Sequence, residues 1–270
     1  MITVIRGEYR VSFRMSCRVL QISRSVALYQ PVPNRDGPVI AALQELRKEF
    51  AYDGFPMLYA ELRKQGAIWN HKRVHRIYCA LGWNKISKKK RRLPSRDPHK
   101  LDVPDNLNVS WSMDFMSDSL YSGRKFRTFN VIDDCNREVL GIEIDTNLPA
   151  ERIIRKLDQI AEFKGYPKQI RCDNGPELIS HNMADWAKSH GIRLEFIEPG
   201  RPTQNSYVER FNRTYREGVL DLYVFDSLNQ VRDITEKWII HYNRRRPHRS
   251  LGWLTPEEKR DQISLDFSPN

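Results

Sequence analysis

Long apolar runs are absent from this sequence of 270 residues. No stretch approaches the roughly 18 apolar residues that a membrane span requires. The N-terminus, MITVIRGEYRVSFRMS, interleaves arginine with apolar residues, so it does not read as a secretory leader. Cysteine is scarce. The four present, Cys17, Cys79, Cys135 and Cys172, stand far apart, which argues against a disulfide framework and a CxxC zinc clip. A reducing cytoplasm is the expected compartment. Internal repeats and low-complexity tracts are also missing. What is present is a globular composition, 40% hydrophobic and 10% aromatic, which excludes global disorder.

Acidic charge is missing from one part only. Residues 1–100 hold 21 Lys+Arg against 7 Asp+Glu, and residues 101–270 hold 24 against 27. The net charge of +11 is thus a strongly basic third joined to a slightly acidic remainder. Such asymmetry points to a polyanion-binding module attached to something else. The junction is visible as a run of five cations, Lys88, Lys89, Lys90, Arg91 and Arg92. A basic linker follows over residues 93–108, where Pro94, Pro98 and Pro104 oppose helix and central strand.

Three helical patterns occupy the basic third over residues 38–92. PVIAALQELRKEF opens on Pro38 and spaces Ile40, Leu43, Leu46 and Phe50 on one face. FPMLYAELRKQG follows, with Gly66 as its stop. NHKRVHRIYCALG has Asn70 as its cap and Gly82 as its stop. Its apolar face is Val74, Ile77, Tyr78 and Leu81, and Lys72, Arg73 and Arg76 point outward. Two helices, a short turn and a basic third helix outline a helix-turn-helix with its recognition helix last. His71, His75 and Cys79 share one helical face, but four zinc ligands are not available, so they read as a polar surface. Residues 1–37 form an N-terminal helical segment, with two short pieces around Ser23 that resemble part of another helix-turn-helix.

Residues 109–262 read as one α/β domain, with a tail over 263–270. NVSWSMDFM alternates, placing Trp111 and Met113 on one face and Ser110, Ser112 and Asp114 on the other. RTFNVIDD and EVLGIEID continue an antiparallel meander. Helix, strand, helix, strand and two further helices follow. This order is that of a ribonuclease-H-like core: a five-stranded mixed sheet with flanking helices, preceded here by the small all-α helix-turn-helix domain. That layout brings the first and fourth strands together at one edge. Asp114 on the first strand, Asp173 at the end of the fourth and Glu209 in the following helix can then meet.

WSMDF (111–115), DNGPE (173–177), PTQNSYVERFN (202–212) and YNRRRPHRSLGWLTPEE (242–258) carry a resemblance. So does NHKRVHRIY (70–78) in the basic third. The sequence resembles the larger, orfB-type transposase of the IS-three family of bacterial insertion sequences and, more distantly, retroviral integrases. The resemblance covers residues 16 to 260. It implies that Asp114, Asp173 and Glu209 are a DDE triad that holds two Mg²⁺ ions, for which Mn²⁺ would substitute, with Asp114 as the bridging ligand. It places a family asparagine on Asn212 and a family basic residue on Arg216. It implies DNA cleavage and strand transfer, with terminal inverted repeats and target DNA as partners. It further implies self-association on paired ends and an upstream orfA-type protein.

Oxygen ligands of this kind suit Mg²⁺, and two such ions can activate a nucleophile and steady a leaving oxygen without a covalent intermediate. Glu209, Asn212, Arg213 and Arg216 form one polar stripe of a helix, beside an apolar stripe of Val208, Phe211, Tyr215 and Leu222. Asn212, Arg213 and Arg216 are therefore candidate DNA contacts. So are Arg244, Arg245 and Arg246, a second basic cluster. Asp133, Asp134 and Glu177 are expected to be surface carboxylates, and Trp111 and Trp253 packing residues. Gly218 interrupts a helix, where it costs about 1 kcal/mol relative to alanine. Two other functions compete with transposition. A non-catalytic DNA-binding regulator would bind DNA without Mg²⁺-dependent cutting, and a structure-specific nuclease would cut without joining.

Overall fold

The computed structural model describes residues 2–30, 35–51, 53–84, 103–197 and 205–266. The cation run Lys88–Arg92 and residues 93–102 of the linker lie outside them, as do residues 198–204 and 267–270. No described helix is long and apolar enough to cross a membrane.

Three short helices open the chain: α1 (Ile2–Tyr9), α2 (Phe13–Val19) and α3 (Arg24–Ala27). Ser12 and Ser23 cap α2 and α3 by accepting from the amides of Met15 and Val26. The three helices bury only Ser16 and Cys17.

The basic module is a three-helix cluster of α4 (Gly37–Glu49), α5 (Phe55–Lys64) and α6 (His71–Ala80). Prolines occupy the first turns of α4 and α5, where a missing amide costs nothing. The Asn70 side chain accepts from the Lys72 amide and caps α6, and Gly82 closes it at φ +74°. Val39, Leu43 and Leu46 of α4 meet Leu58 and Leu62 of α5 and Val74 and Ile77 of α6 in one dry cluster. Leu43 is wholly buried, and truncating it to alanine would cost about 2–5 kcal/mol.

The second domain is a ribonuclease-H-like sheet of β1 (Ser110–Ser119), β2 (Lys125–Asp133), β3 (Val139–Asp145), β4 (Gln169–Cys172) and β5 (Arg193–Phe196). Their spatial order is β3-β2-β1-β4-β5. β1 pairs antiparallel with β2 and parallel with β4. The first and fourth strands are neighbours as expected, and their meeting lies inside the sheet, with β5 beyond β4 as the edge. α7 (Ala150–Lys164) and α8 (His181–Ser189) contribute to the core that contains Trp111, Met113, Phe129 and Val131. α9 (Ser206–Tyr215) and α10 (Leu228–Arg244) contribute to a second core with Phe126, Ile132, Ile142 and Ile144. The last helix, α11 (Pro256–Asp266), continues four residues past the expected end of the domain.

Helices on both sides of the sheet change the meaning of the alternation in β1. Ser110 and Ser112 are wholly buried, because their hydroxyls donate to Asp134 at 2.7 and 2.5 Å. Arg171 of β4 joins the same carboxylate at 3.0 Å. Asp133 is also buried and accepts from the amides of Asn108 and Cys135. The expectation that Asp133 and Asp134 are surface carboxylates is thus overturned: they satisfy donors inside the fold. Glu177 is partly exposed and pairs with Arg127. Trp111 is core, but Trp253 is 36% exposed at φ +69° and is not.

Candidate active site

The site is built where β1, β4 and α9 approach one another. Asp114 sits at the middle of β1, directly across from Asn130 of β2. Asp173 follows the last residue of β4 and accepts from the Gly175 amide at 3.1 Å, a local turn that fixes its carboxylate. A Cβ at Gly175 would stand 3.1 Å from the Asp173 carboxylate oxygen, a tight contact that the carboxylate would have to yield to. Glu209 stands exposed in the first turn of α9. Helix α9 is seated on the sheet by Val208, Phe211 and Tyr215, and the Asn205 amide donates to the Met113 carbonyl at 3.3 Å, beside Asp114.

These placements are felt electrostatically. Burial pushes the Asp114 carboxyl up to about 6, and the negative charges of Asp173 and Glu209 push in the same direction. The Phe115 amide at 2.8 Å and the Asn212 amide at 2.7 Å pull against that shift by donating to opposite oxygens. Burial also raises Glu209. Asp173 and Glu209 thus stand within electrostatic reach of Asp114. Yet no three His, Cys, Asp or Glu side chains among the described residues are close enough to enclose a metal ion. Mutual repulsion of like charges opposes a tighter approach.

The expected DNA contacts divide by environment. Lys72 and Arg213 are exposed. Arg73 and Arg76 both hold Asp36, at 3.0 and 2.7 Å. Arg216 holds Asp118 and the Ser117 carbonyl at 3.1 and 2.9 Å. Arg244 pairs with Glu257 at 3.2 Å and Arg245 with Glu49 at 3.0 Å. Two placements differ from the expected phosphate contact. Asn212 is 9% exposed and is bound to Asp114 and Asn130. Arg246 is turned inward onto Asp53, whose side chain is 2% exposed. The acids that attract these arginines lie far away in sequence, so spacing alone does not reveal the pairs.

Sequence reasoning passed over Asn130. Its signal was an amide in the middle of the otherwise apolar strand FNVI, at the position that an antiparallel meander sets opposite Asp114. His71 and His75, read as surface, pack edge-on against the Phe55 ring at 5.1 and 4.7 Å. Gly218 falls in a buried π-helical turn, Arg216–Leu220, which follows α9. Such turns often mark functional sites.

Comparison with known proteins gives three matches to domain families. Residues 105–202 and 190–256 match integrase core domains, and residues 35–91 match an HTH-like domain. A 31.7 kDa protein of insertion element IS407 from Burkholderia multivorans is 36% identical over 257 residues, covering 95% of this chain and 93% of that protein. The transposase InsF of insertion sequence IS3A from Escherichia coli is 25% identical, covering 94% of this chain and 95% of that one. The magnesium-bound catalytic core domain of HTLV-2 integrase has a TM-score of 0.47 at 19% identity, covering 57% of this chain and 97% of that one.

Proposed function

The chain belongs to the IS-three family of insertion-sequence transposases, and from that premise we propose that it cuts and joins DNA strands by a two-metal DDE mechanism. Asp114, Asp173 and Glu209 are the proposed catalytic residues and would hold the metal. The observation that carries this reading is the Asp114 carboxyl, half-buried on the central strand, bonded by the Phe115 and Asn212 amides and raised by desolvation and by the other two acids. A cation would relieve that repulsion. The donor set is entirely carboxylate oxygen, which fits Mg²⁺, with Mn²⁺ as a substitute. Mg²⁺ bound there supplies an activated oxygen nucleophile and a steadied leaving oxygen.

The chain's own residues perform the rest. Phe115 and Asn212 hold the two Asp114 oxygens in fixed directions. Lys72 and Arg213, both exposed, meet the phosphate backbone, and α6 enters the major groove. Arg73 and Arg76 exchange Asp36 for phosphate; exposed pairs of this kind are worth only about 0–1 kcal/mol. The proposed partners are the terminal inverted repeats, target DNA, further copies of the chain on paired ends and an upstream orfA-type protein. The test is a cleavage and strand-transfer assay with end DNA and Mg²⁺. It uses the chain alone and joined to the upstream protein. Asp114→Asn abolishes both reactions and leaves DNA binding intact; retained cleavage would refute the assignment. Products that are cut but never joined would favour a nuclease.

A further inference from the structure

We propose that Asn130 is a positioning residue for the divalent cation site: buried across from Asp114, it fixes the amide of Asn212 and thereby holds the Asp114 carboxylate. The proposal rests on the reading of Asp114 as a metal ligand. Its geometry is a chain of two hydrogen bonds. Asn212 donates to Asp114 at 2.7 Å, and Asn130 donates to Asn212 at 2.7 Å.

The direction of both bonds follows from chemistry. An ionised carboxylate only accepts, so the Asn212 atom facing Asp114 must be Nδ2. Its Oδ1 then faces Asn130, which must present its own Nδ2. Without that donor the Asn212 amide is free to turn over and set a carbonyl oxygen against Asp114. With it, Asn212 Nδ2 occupies one Asp114 oxygen and the Phe115 amide occupies the other. Each oxygen keeps a further lone pair for a cation.

A second observation separates this role from ordinary packing. Asn130 is wholly buried on β2, and among the described residues its Oδ1 has no hydrogen-bond partner. A buried carbonyl left unpaired is a net cost to the fold. A leucine of similar volume would not carry that unpaired oxygen. An amide that burdens the sheet while pointing its donor at the site is explained by what it holds there.

The experiment uses the full chain, with Mn²⁺ as the probe. Metal binding is read by calorimetry and by electron paramagnetic resonance, and end-DNA binding is read without metal. Asn130→Leu is expected to weaken Mn²⁺ about tenfold, the scale of outer-sphere losses at metal sites. Its unfolding midpoint and DNA affinity stay near those of the parent. Asn130→Asp, whose ionised carboxylate accepts and so reverses the Asn212 amide, weakens Mn²⁺ further. If a variant fails to fold, the side-chain amide resonances of Asn212 in the parent report the same bond. Assigned by their loss in Asn212→Asp, they are displaced from free-amide shifts if the chain of bonds exists. Free-amide shifts, or parent-like Mn²⁺ affinity in a folded Asn130→Leu, overturn the role of Asn130 alone. Undiminished Mn²⁺ binding and cleavage in Asp114→Asn overturns the metal-site reading beneath it.

Discussion

Replacing Arg171 by methionine tests how the centre of the sheet is held. Arg171 and Asp134 are 9% and 0% exposed at their side chains, and their pair closes at 3.0 Å. Removing one partner of a buried pair costs about 3–5 kcal/mol, because the other charge stays buried. The hydroxyls of Ser110 and Ser112 still donate to Asp134, and each charged hydrogen bond is worth about 1.5–3 kcal/mol, so the lower part of that range is expected. Burial already raises the Asp134 carboxyl, and losing the guanidinium raises it further. A carboxyl with a raised folded-state pKa contributes stability that is present at low pH and lost as pH climbs through that value. The penalty of Arg171→Met is therefore about 3 kcal/mol at pH 7.5 and shrinks towards pH 4. Urea unfolding at both pH values measures it. The double variant Arg171→Met/Asp134→Asn recovers most of the loss. A penalty below about 1 kcal/mol, comparable to an exposed pair, or a double variant no better than the single one, would refute the reasoning.

His248 gives the opposite pH dependence. Burial and the charge of Arg246 depress it to about 3, so the fold holds it neutral and pays as pH falls below the ordinary value of 6.5. Between pH 7.5 and 5 this amounts to about 2 kcal/mol, and His248→Gln should flatten the unfolding curve by that amount. In Arg246→Met the buried charge of Asp53 loses its guanidinium, and stability falls by about 3 kcal/mol; weakened DNA binding at unchanged stability would instead restore Arg246 as a phosphate contact. Gly141→Ala places a methyl 2.9 Å from Lys156 Cε and 3.1 Å from Ile160 Cδ1, where α7 crosses β3. Overpacking there costs about 1–3 kcal/mol in thermal or chemical unfolding.

The elements were legible wherever a local signal existed. The cap Asn70, the stops Gly66 and Gly82, and the apolar period of α4 and α5 are short-range features, and each matches an observed helix or its end. Two kinds of fact were not legible. Burial of polar residues along β1 and after β2 depends on helices supplied later in the chain, so Asp133 and Asp134 read as surface when they are core. Strand order is also non-local, and the central place of β1 follows from its parallel pairing with β4, well over fifty residues away. Within the site, the three acids were found through the family pattern, and their mutual influence appears in the raised carboxyl of Asp114. The Asn130–Asn212–Asp114 chain needed the register of β1 against β2.

The arginines show most clearly how environment divides one residue type between two tasks. Acids are scarce in the first hundred residues, only 7 against 21 cations. Two of them, Glu49 and Asp53, meet Arg245 and Arg246 at the end of α10, and Lys64 returns the exchange by holding Glu258 at 2.7 Å. The Phe50 and His241 rings meet at 4.9 Å, tilted by 46°, in the same seam. This joins the helix-turn-helix module to the sheet domain. Another acid, Asp36, holds Arg73 and Arg76 on the recognition helix, where Arg76 is 65% exposed. On the proposed reading a phosphate displaces Asp36 from Arg76, the solvent-open half of that pair, at a cost of about 1 kcal/mol. It cannot displace Asp53 from Arg246 without stranding a buried charge at about 3–5 kcal/mol. Under the proposed DNA-binding role, burial, not residue type or clustering in the sequence, separates the arginines open to a phosphate from those that fix the module.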